Sequence, residues 1–150
     1  MKFFLFAAVM GVLLAMAPPC LAENGTAALS AADRLLKTRD FEGAEKAYRA
    51  IIAGHPQEAV AGLALFGLGE TFFGRNEFGL SALAYSDSYR EFPQGKRAAE
   101  ALFKLGVSMG RMGRTAEACL AFKGVRVKFP ALADPLRARV NQEKKRAGCS

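Results

Sequence analysis

The amino-acid sequence predicts an all-α fold, an α-solenoid of about three helix hairpins followed by a C-terminal capping helix. Two observations support this prediction. Long segments place apolar side chains three and four positions apart, which is the spacing of one helix face. Aromatic residues and prolines also recur every 37 positions, at Tyr48, Tyr85 and Phe122 and at Pro56, Pro93 and Pro130. A single hairpin cannot bury its own apolar face, so such units stack on one another.

The 150 residues, of which 51% are hydrophobic, suit one domain with a modest core. The expected repeat units are residues 25–56, 62–93 and 99–130, each with two helices. The expected helices are 28–38, 41–54, 59–74, 77–91, 96–111 and 114–128. A seventh helix at 134–147 is polar, as the end of a solenoid must be to stay soluble.

Residues between these helices suit caps and tight turns. Three polar residues are expected to cap the second helices of the hairpins: Asp40, Asn76 and Thr115. Three glycines permit left-handed backbone in the connections: Gly74, Gly110 and Gly113. Asp134 and Pro135 are expected as the N-cap and first residue of the capping helix.

The central unit carries the clearest motif, L-x2-L-G-x2-F from Leu65, S-x3-Y from Ser81, and Pro93. The third unit repeats it from Leu102, and the first unit is a weaker copy. This order and spacing resemble the tetratricopeptide repeat, W-x2-L-G-x2-Y…A-x3-F…P.

Small residues in this motif have a packing role. Gly69 and Gly106 remove a side chain where a second helix must come close, and Ser81 and Ala118 are small for the same reason. We therefore expect each glycine to face the second helix of its own hairpin. The proline after each second helix ends that helix, because its ring cannot continue it.

The first 22 residues have the composition of a secretory signal peptide. Lys2 precedes an apolar run from Phe3 to Ala17, and the segment ends in small residues at Ala22. We expect residues 1–22 to be removed and residues 23–150 to be periplasmic or secreted. The run is shorter than the roughly 20 residues that span a bilayer. A retained anchor and a lipid on Cys20 remain alternatives, and no later apolar run is long enough to span.

Positive charge is concentrated near the C-terminus. Residues 111–150 contain ten basic and three acidic residues, whereas residues 23–110 contain ten basic and eleven acidic residues. A basic surface suits an acidic partner, an anionic lipid or a polyanion, but an ordinary solvated capping helix has the same composition. The predicted export argues against nucleic acid as a partner.

Two cysteines follow the predicted signal peptide, Cys119 and Cys149. An oxidising compartment favours a disulfide between them. If the capping helix runs antiparallel to the helix before it, Cys149 returns towards Cys119, but it overshoots unless the tail folds back at Gly148. The alternative is a buried thiol at one position and a free tail thiol at the other.

Catalytic chemistry finds little support in the sequence. His55 is the only histidine, and it occupies the position that Phe92 and Phe129 hold in the other units, so we interpret it as a packing residue. No cluster of cysteine and histidine has the spacing of metal ligands. We expect no enzymatic activity, no cofactor and no metal.

The first helices of the three units provide a candidate binding groove. In a tetratricopeptide superhelix their faces away from the core line the concave surface, so the resemblance implies a groove there. Three columns spaced by 37 positions result, with two basic residues at the edge: Leu29, Phe66 and Phe103; Asp33, Glu70 and Val107; Leu36, Phe73 and Gly110; and Lys37 and Arg111. Two apolar columns suit an amphipathic helix or extended peptide. Packing of the rings between adjacent first helices is the alternative.

The repeats also resemble one particular family. The phrases LGETFF and FPQGKRAAEALFKLG are similar to the C-terminal repeat domain of the YbgF/CpoB family of Tol–Pal-associated periplasmic proteins. The resemblance implies a scaffold that coordinates outer-membrane constriction with cell-wall synthesis at division. Only residues 23–27 separate the predicted signal peptide from the first expected helix. The coiled coil of that family is therefore not expected, and the oligomeric state stays open.

These patterns together predict an exported scaffold that binds a protein or peptide partner in the cell envelope. The rival hypothesis is a basic protein that binds anionic lipid or cell-wall polymer through its C-terminal helix. The two differ in salt dependence, because an apolar groove binds almost independently of ionic strength whereas a basic surface loses affinity steeply.

Expression of the whole sequence in a Gram-negative host should yield a soluble periplasmic protein that begins at Glu23. The charged start, short apolar run and small-residue end direct cleavage after Ala22. Intact-mass spectrometry of the purified protein checks this. A retained Met1 or a lipid on Cys20 would contradict it.

Overall fold

The computed structural model describes residues 21–149, and within this range the chain forms seven α-helices. They are α1 (Leu21–Lys37), α2 (Phe41–Gly54), α3 (Ala59–Gly74), α4 (Phe78–Glu91), α5 (Ala98–Arg111), α6 (Thr115–Lys128) and α7 (Asp134–Arg146). Each of α1 to α6 packs on the next helix in the chain, and α1 also contacts α3. The predicted all-α solenoid is confirmed. The predicted signal peptide lies outside the described residues, except for its last two positions.

Helix α1 begins seven residues before its expected start. Its added turns are held by packing, because Gly25 is buried against His55 and Val60. Within residues 21–149, no helix is both long enough and apolar enough to cross a membrane.

One left-handed residue closes each hairpin. Arg39, Asn76 and Gly113 have φ angles of 63°, 61° and 75°, and they are spaced by 37 positions. The expectation for Gly74 and Gly110 is wrong, because both residues lie inside helices. The position of the left-handed residue therefore follows the 37-residue period of the sequence, but this residue is a glycine in only one of the three hairpins.

The second helices begin at equivalent positions, with Asp40, Glu77 and Arg114 as their N-caps. The prediction for Asp40 is confirmed, because its Oδ1 accepts a hydrogen bond of 3.0 Å from the backbone N–H three residues on. The predictions for Asn76 and Thr115 are wrong by one residue each. Neither Glu77 nor Arg114 makes a side-chain capping bond, so only the first hairpin has a capped second helix.

Each of the last two hairpins contains an aromatic ring pressed against a glycine. A Cβ atom on Gly69 would lie 2.6 Å from Cδ1 of Tyr85, and one on Gly106 would lie 2.6 Å from Cε1 of Phe122. Both rings are essentially fully buried. The glycines therefore face their own second helices, and the ring that they meet lies one turn beyond the small residues Ser81 and Ala118.

Buried contacts also join adjacent hairpins. Tyr48 of the first hairpin fills the space beside Gly67 of the second, where a Cβ atom would collide with the ring. The hydroxyl groups of Ser81 and Ser108 lie 3.0 Å apart in a fully buried hydrogen bond between the second and third hairpins. These contacts fix how one repeat is placed on the next.

Helix α7 packs against α5 and α6 and closes the solenoid. Val140 is its buried residue, and Leu136 packs half-buried beside the same core. The expected N-cap Asp134 is instead the first helical residue, with Ala133 as the N-cap and Pro135 in the first turn. A single buried side chain is a small apolar anchor for a helix of 13 residues.

A disulfide adds a second anchor to α7. Cys119 and Cys149 are bonded, with their Cα atoms 5.5 Å apart. Gly148 has a φ angle of 70°, and the N–H of Cys149 donates to the carbonyl of Lys144 at 2.9 Å. This left-handed helix end turns the chain back, which removes the overshoot expected from a straight helix.

Gly69→Ala should lower the free energy of unfolding by about 1–3 kcal/mol, because the added methyl group overpacks the Tyr85 ring. Gly110→Ala is the matched control, since its nearest neighbour would be the Ala118 Cβ at 3.9 Å. That change should be neutral or stabilise the helix by up to about 1 kcal/mol. Urea denaturation measures both variants, and equal stability of the two would contradict the packing.

The double variant Cys119→Ser/Cys149→Ser should lose about 3–4 kcal/mol of stability, because the bond closes a loop whose ends are 30 residues apart. Hydrogen exchange should locate the loss of protection in α7, whose buried anchor is Val140. Reduction of the unaltered protein by dithiothreitol is the control and should reproduce the same pattern. Unchanged protection of α7 would show that its packing is sufficient without the bond.

Candidate functional site

A concave groove with a volume of about 740 Å³ runs along the first helices of the hairpins. It is formed by α1, α3 and α5, and the loop before α5 and helix α7 border one end. Six predicted groove residues line it: Leu29, Asp33, Leu36, Lys37, Phe66 and Glu70. The predicted residues Phe73, Phe103, Val107, Gly110 and Arg111 do not line it.

The expectation of exposed rings at Phe66 and Phe103 is wrong. Their side chains are only 6% and 2% exposed. The ring of Phe66 lies 5.4 Å from that of Tyr85, and the ring of Phe103 lies 6.0 Å from that of Phe122. The reason is helical spacing: Phe66 lies three residues before Gly69 and therefore shares the helix face that meets Tyr85. These rings therefore belong to the hydrophobic core.

Two arginines cover the groove side of these rings. The guanidinium carbon of Arg97 lies 4.8 Å from the centre of the Phe66 ring, and that of Arg139 lies 4.9 Å from the centre of the Phe103 ring. Both arginines also contact Glu100, through an ion pair with Arg97 and a 3.5 Å contact with Arg139. This end of the groove therefore presents guanidinium groups where the sequence predicted phenyl rings.

Two groove carboxylates are held by tyrosines of the second helices. The Tyr48 hydroxyl donates to Asp33 at 2.6 Å, and the Tyr85 hydroxyl donates to Glu70. Burial, reinforced by the neighbouring carboxylate, raises the pKa of each tyrosine well above its usual value, so both remain donors. At the equivalent positions of the third hairpin, Val107 and Phe122 are both apolar. In the predicted polar column, the two acidic residues Asp33 and Glu70 therefore each have a tyrosine partner, and Val107 has none. This correlation is visible in the sequence.

Lys104 links the groove to the surface beside it. Its Nζ lies 2.7 Å from Glu70 Oε1 and 5.1 Å from the centre of the half-buried Phe73 ring. Arg111 lies over the same ring at 6.0 Å, and Phe78 packs edge-on against it at 5.3 Å. Phe73 and Arg111 are therefore neighbours, but they lie outside the groove. Val107 packs with the core of the third hairpin.

Positive charge outweighs negative charge in the groove. Five basic residues line it, Lys37, Lys96, Arg97, Lys104 and Arg139, against three acidic residues, Asp33, Glu70 and Glu100. Each carboxylate already has a partner, from a tyrosine, a lysine or an arginine. The groove, predicted with two apolar columns, therefore combines eight charged residues with leucines of α1 and α3.

Other arginines of the basic C-terminal region are engaged by contacts within the chain. Arg137 donates to the Leu132 carbonyl at 2.8 Å, and Arg146 pairs with Glu143 at 2.9 Å. Lys145 is exposed. Arg139 is the residue of α7 that contributes to the groove.

The described residues do not gather a metal site, since no three of the residue types His, Cys, Asp and Glu come together between residues 21 and 149. His55 is the C-cap of α2, and its Nδ1 lies 3.0 Å from Glu58 Oε1. This places His55 at the end of a hairpin, next to Gly25, and away from the groove.

Comparison with known proteins supports the repeat architecture. The tetratricopeptide repeat family matches the sequence over residues 100–131. The N-terminal domain of stress-induced protein-1 from C. elegans is similar, with a TM-score of 0.69 and 15% identity over 83% of this chain and 98% of that one. A TPR-like protein from Chlorobium tepidum is also similar, with a TM-score of 0.64 and 19% identity over 85% and 93%. No curated protein sequence matches the chain. Repeat solenoids of this kind generally bind other proteins through their concave surfaces.

Tyr85→Phe should lower the free energy of unfolding by about 1.5–3 kcal/mol, the range for a hydrogen bond to a charged group. Tyr89→Phe on the same helix is the matched control, because its half-buried ring packs on Phe129, and it should cost less than about 1 kcal/mol. In a double-mutant cycle with Glu70→Gln, the loss from Tyr85→Phe should shrink. Full additivity would show that the two side chains do not interact.

Proposed function

We propose that this chain is an exported repeat scaffold that binds a segment of a partner protein in the groove between α1, α3 and α5. One observation carries the proposal: three successive first helices line a single open groove of about 740 Å³. That volume is in the range of the clefts that bind ligands in proteins. The similarity to tetratricopeptide-type structures supports a protein segment as the ligand class.

The groove offers both apolar contact and fixed polar groups. Leu29, Leu36 and Leu63 are half-buried along its walls. Asp33 is oriented by Tyr48, so its carboxylate is placed before a partner arrives. Preplaced polar groups determine the direction and register of a bound segment, whereas the leucines contribute apolar burial.

The proposed location is the cell envelope. The predicted signal peptide supports export, and the Cys119–Cys149 disulfide is suited to an oxidising compartment. The resemblance to the YbgF/CpoB repeat domain supports a role in Tol–Pal function or envelope assembly.

The rival proposal is a basic surface on α7 that binds anionic lipid or cell-wall polymer. Salt dependence does not separate the two proposals as the sequence predicted, because the groove is itself charged. Position does separate them. Lys37 lies in the groove, whereas Lys145 is exposed on α7 outside it.

A photo-crosslinking amino acid at Lys37 should therefore form a protein adduct in cells of the source organism. The same amino acid at Lys145 on α7, or at the exposed Leu83 on α4, should form far less of it. Adducts are detected by electrophoresis and identified by mass spectrometry. An adduct from Lys145 or Leu83 with none from Lys37 would place the interaction outside the groove.

A further inference from the structure

The geometry at the α7 end of the groove points to a receptor for carboxylate side chains, so we infer that the bound partner segment is acidic. This inference rests on the proposed function and names the chemistry of the partner. It concerns Lys96, Arg97 and Arg139 around Glu100, called here the basic end of the groove.

The two arginines of the basic end are held in place before a ligand arrives. Each guanidinium lies over a buried ring, Arg97 over Phe66 and Arg139 over Phe103. Stacking on an aromatic ring restrains the plane of a guanidinium group and lowers the entropy that binding must remove. Arg97 comes from the loop before α5 and Arg139 from α7, so the packing of α7 on the solenoid brings the two together.

Glu100 occupies only part of the donor capacity of these arginines. It contacts Nη1 of Arg97 and Nη1 of Arg139. A guanidinium group has five N–H donors in a fork that matches a carboxylate. Glu100 therefore holds the two groups side by side and leaves N–H donors at both arginines for a second carboxylate.

The charge of the whole groove supports the same partner chemistry. All three groove carboxylates are engaged: Asp33 by Tyr48, Glu70 by Tyr85 and Lys104, and Glu100 by the two arginines. Within the described part of the chain, Lys37 and Lys96 form no ion pair. Five basic and three acidic residues leave an excess of two positive charges, which attracts an acidic segment and disfavours a basic one.

The shape of the site favours a peptide over a membrane surface. The two arginines line a groove between helices and cover rings that are nearly inaccessible to solvent. An extended chain can follow a groove between helices, whereas a flat bilayer surface contacts only its rim. Lipid binding would instead use cations outside the groove, such as Lys145.

The test uses two short peptides with blocked termini that differ only in aspartate or asparagine at the same positions. NMR titration of the labelled whole protein, with its disulfide intact, should show the aspartate peptide shifting resonances along the groove. The asparagine peptide should bind about tenfold more weakly or worse, as expected when charge-assisted bonds are lost. Arg139→Gln should weaken the aspartate peptide by about the same factor, and Lys145→Gln should change it by less than about twofold.

Lys96→Gln serves as a second variant, because Lys96 is exposed and its replacement leaves the stacked arginines intact. It should lower the affinity for the aspartate peptide several-fold and leave the melting temperature of the protein unchanged. Equal affinity for the two peptides, or equal effects of Arg139→Gln and Lys145→Gln, would overturn the inference. The inference would also be overturned if the protein binds vesicles of anionic lipid and only Lys145→Gln weakens that binding.

If the asparagine peptide binds the groove as well as the aspartate peptide does, the groove is a peptide site without acidic preference, and only the inference fails. If neither peptide shifts groove resonances and the crosslinker at Lys37 captures no protein, both fail.

Discussion

The space between the two helices of a hairpin is set by one aromatic ring packed against a residue with little or no side chain. No room remains for a Cβ atom on Gly69, which packs against Tyr85, or on Gly106, which packs against Phe122. A ring held this tightly also has a fixed direction. The Tyr85 hydroxyl therefore leaves the core at the groove, where it meets Glu70. The same contact that determines helix spacing thus orients a polar group of the site.

This coupling determines which cations of the groove are already paired. Tyrosine hydroxyl groups are fixed donors here, because burial and the adjacent carboxylates raise their pKa values and keep them protonated. They hold Asp33 and Glu70 without neutralising a cation, and Lys104 then compensates the charge of Glu70. Within the described residues, Lys37 and Lys96 form no ion pair, and Arg97 and Arg139 share the single carboxylate of Glu100.

The repeat spacing predicted most of the backbone, and it failed where tertiary packing decides. A period of 37 residues located the hairpins and the glycine contacts. The left-handed turn residues Arg39, Asn76 and Gly113 follow the same period. Their residue types differ, so composition alone did not identify them. Phe66 could have been assigned to the core, because it shares a helix face with Gly69. No pattern within the repeats predicts Arg139 over Phe103, since α7 lies outside the period and its position depends on Val140 and a disulfide.

The position of Arg139 connects the covalent structure to the site. Helix α7 is attached by one buried valine near its middle and by a disulfide at its end. Arg139 immediately precedes that valine, so a change in the tilt of α7 would move the guanidinium group relative to Phe103 and Glu100. A constraint on both the middle and the end of a helix limits such tilting far more than one contact does. The disulfide therefore does more than stabilise the chain terminus, because it holds one wall of the groove in the geometry that places two guanidinium groups around one carboxylate.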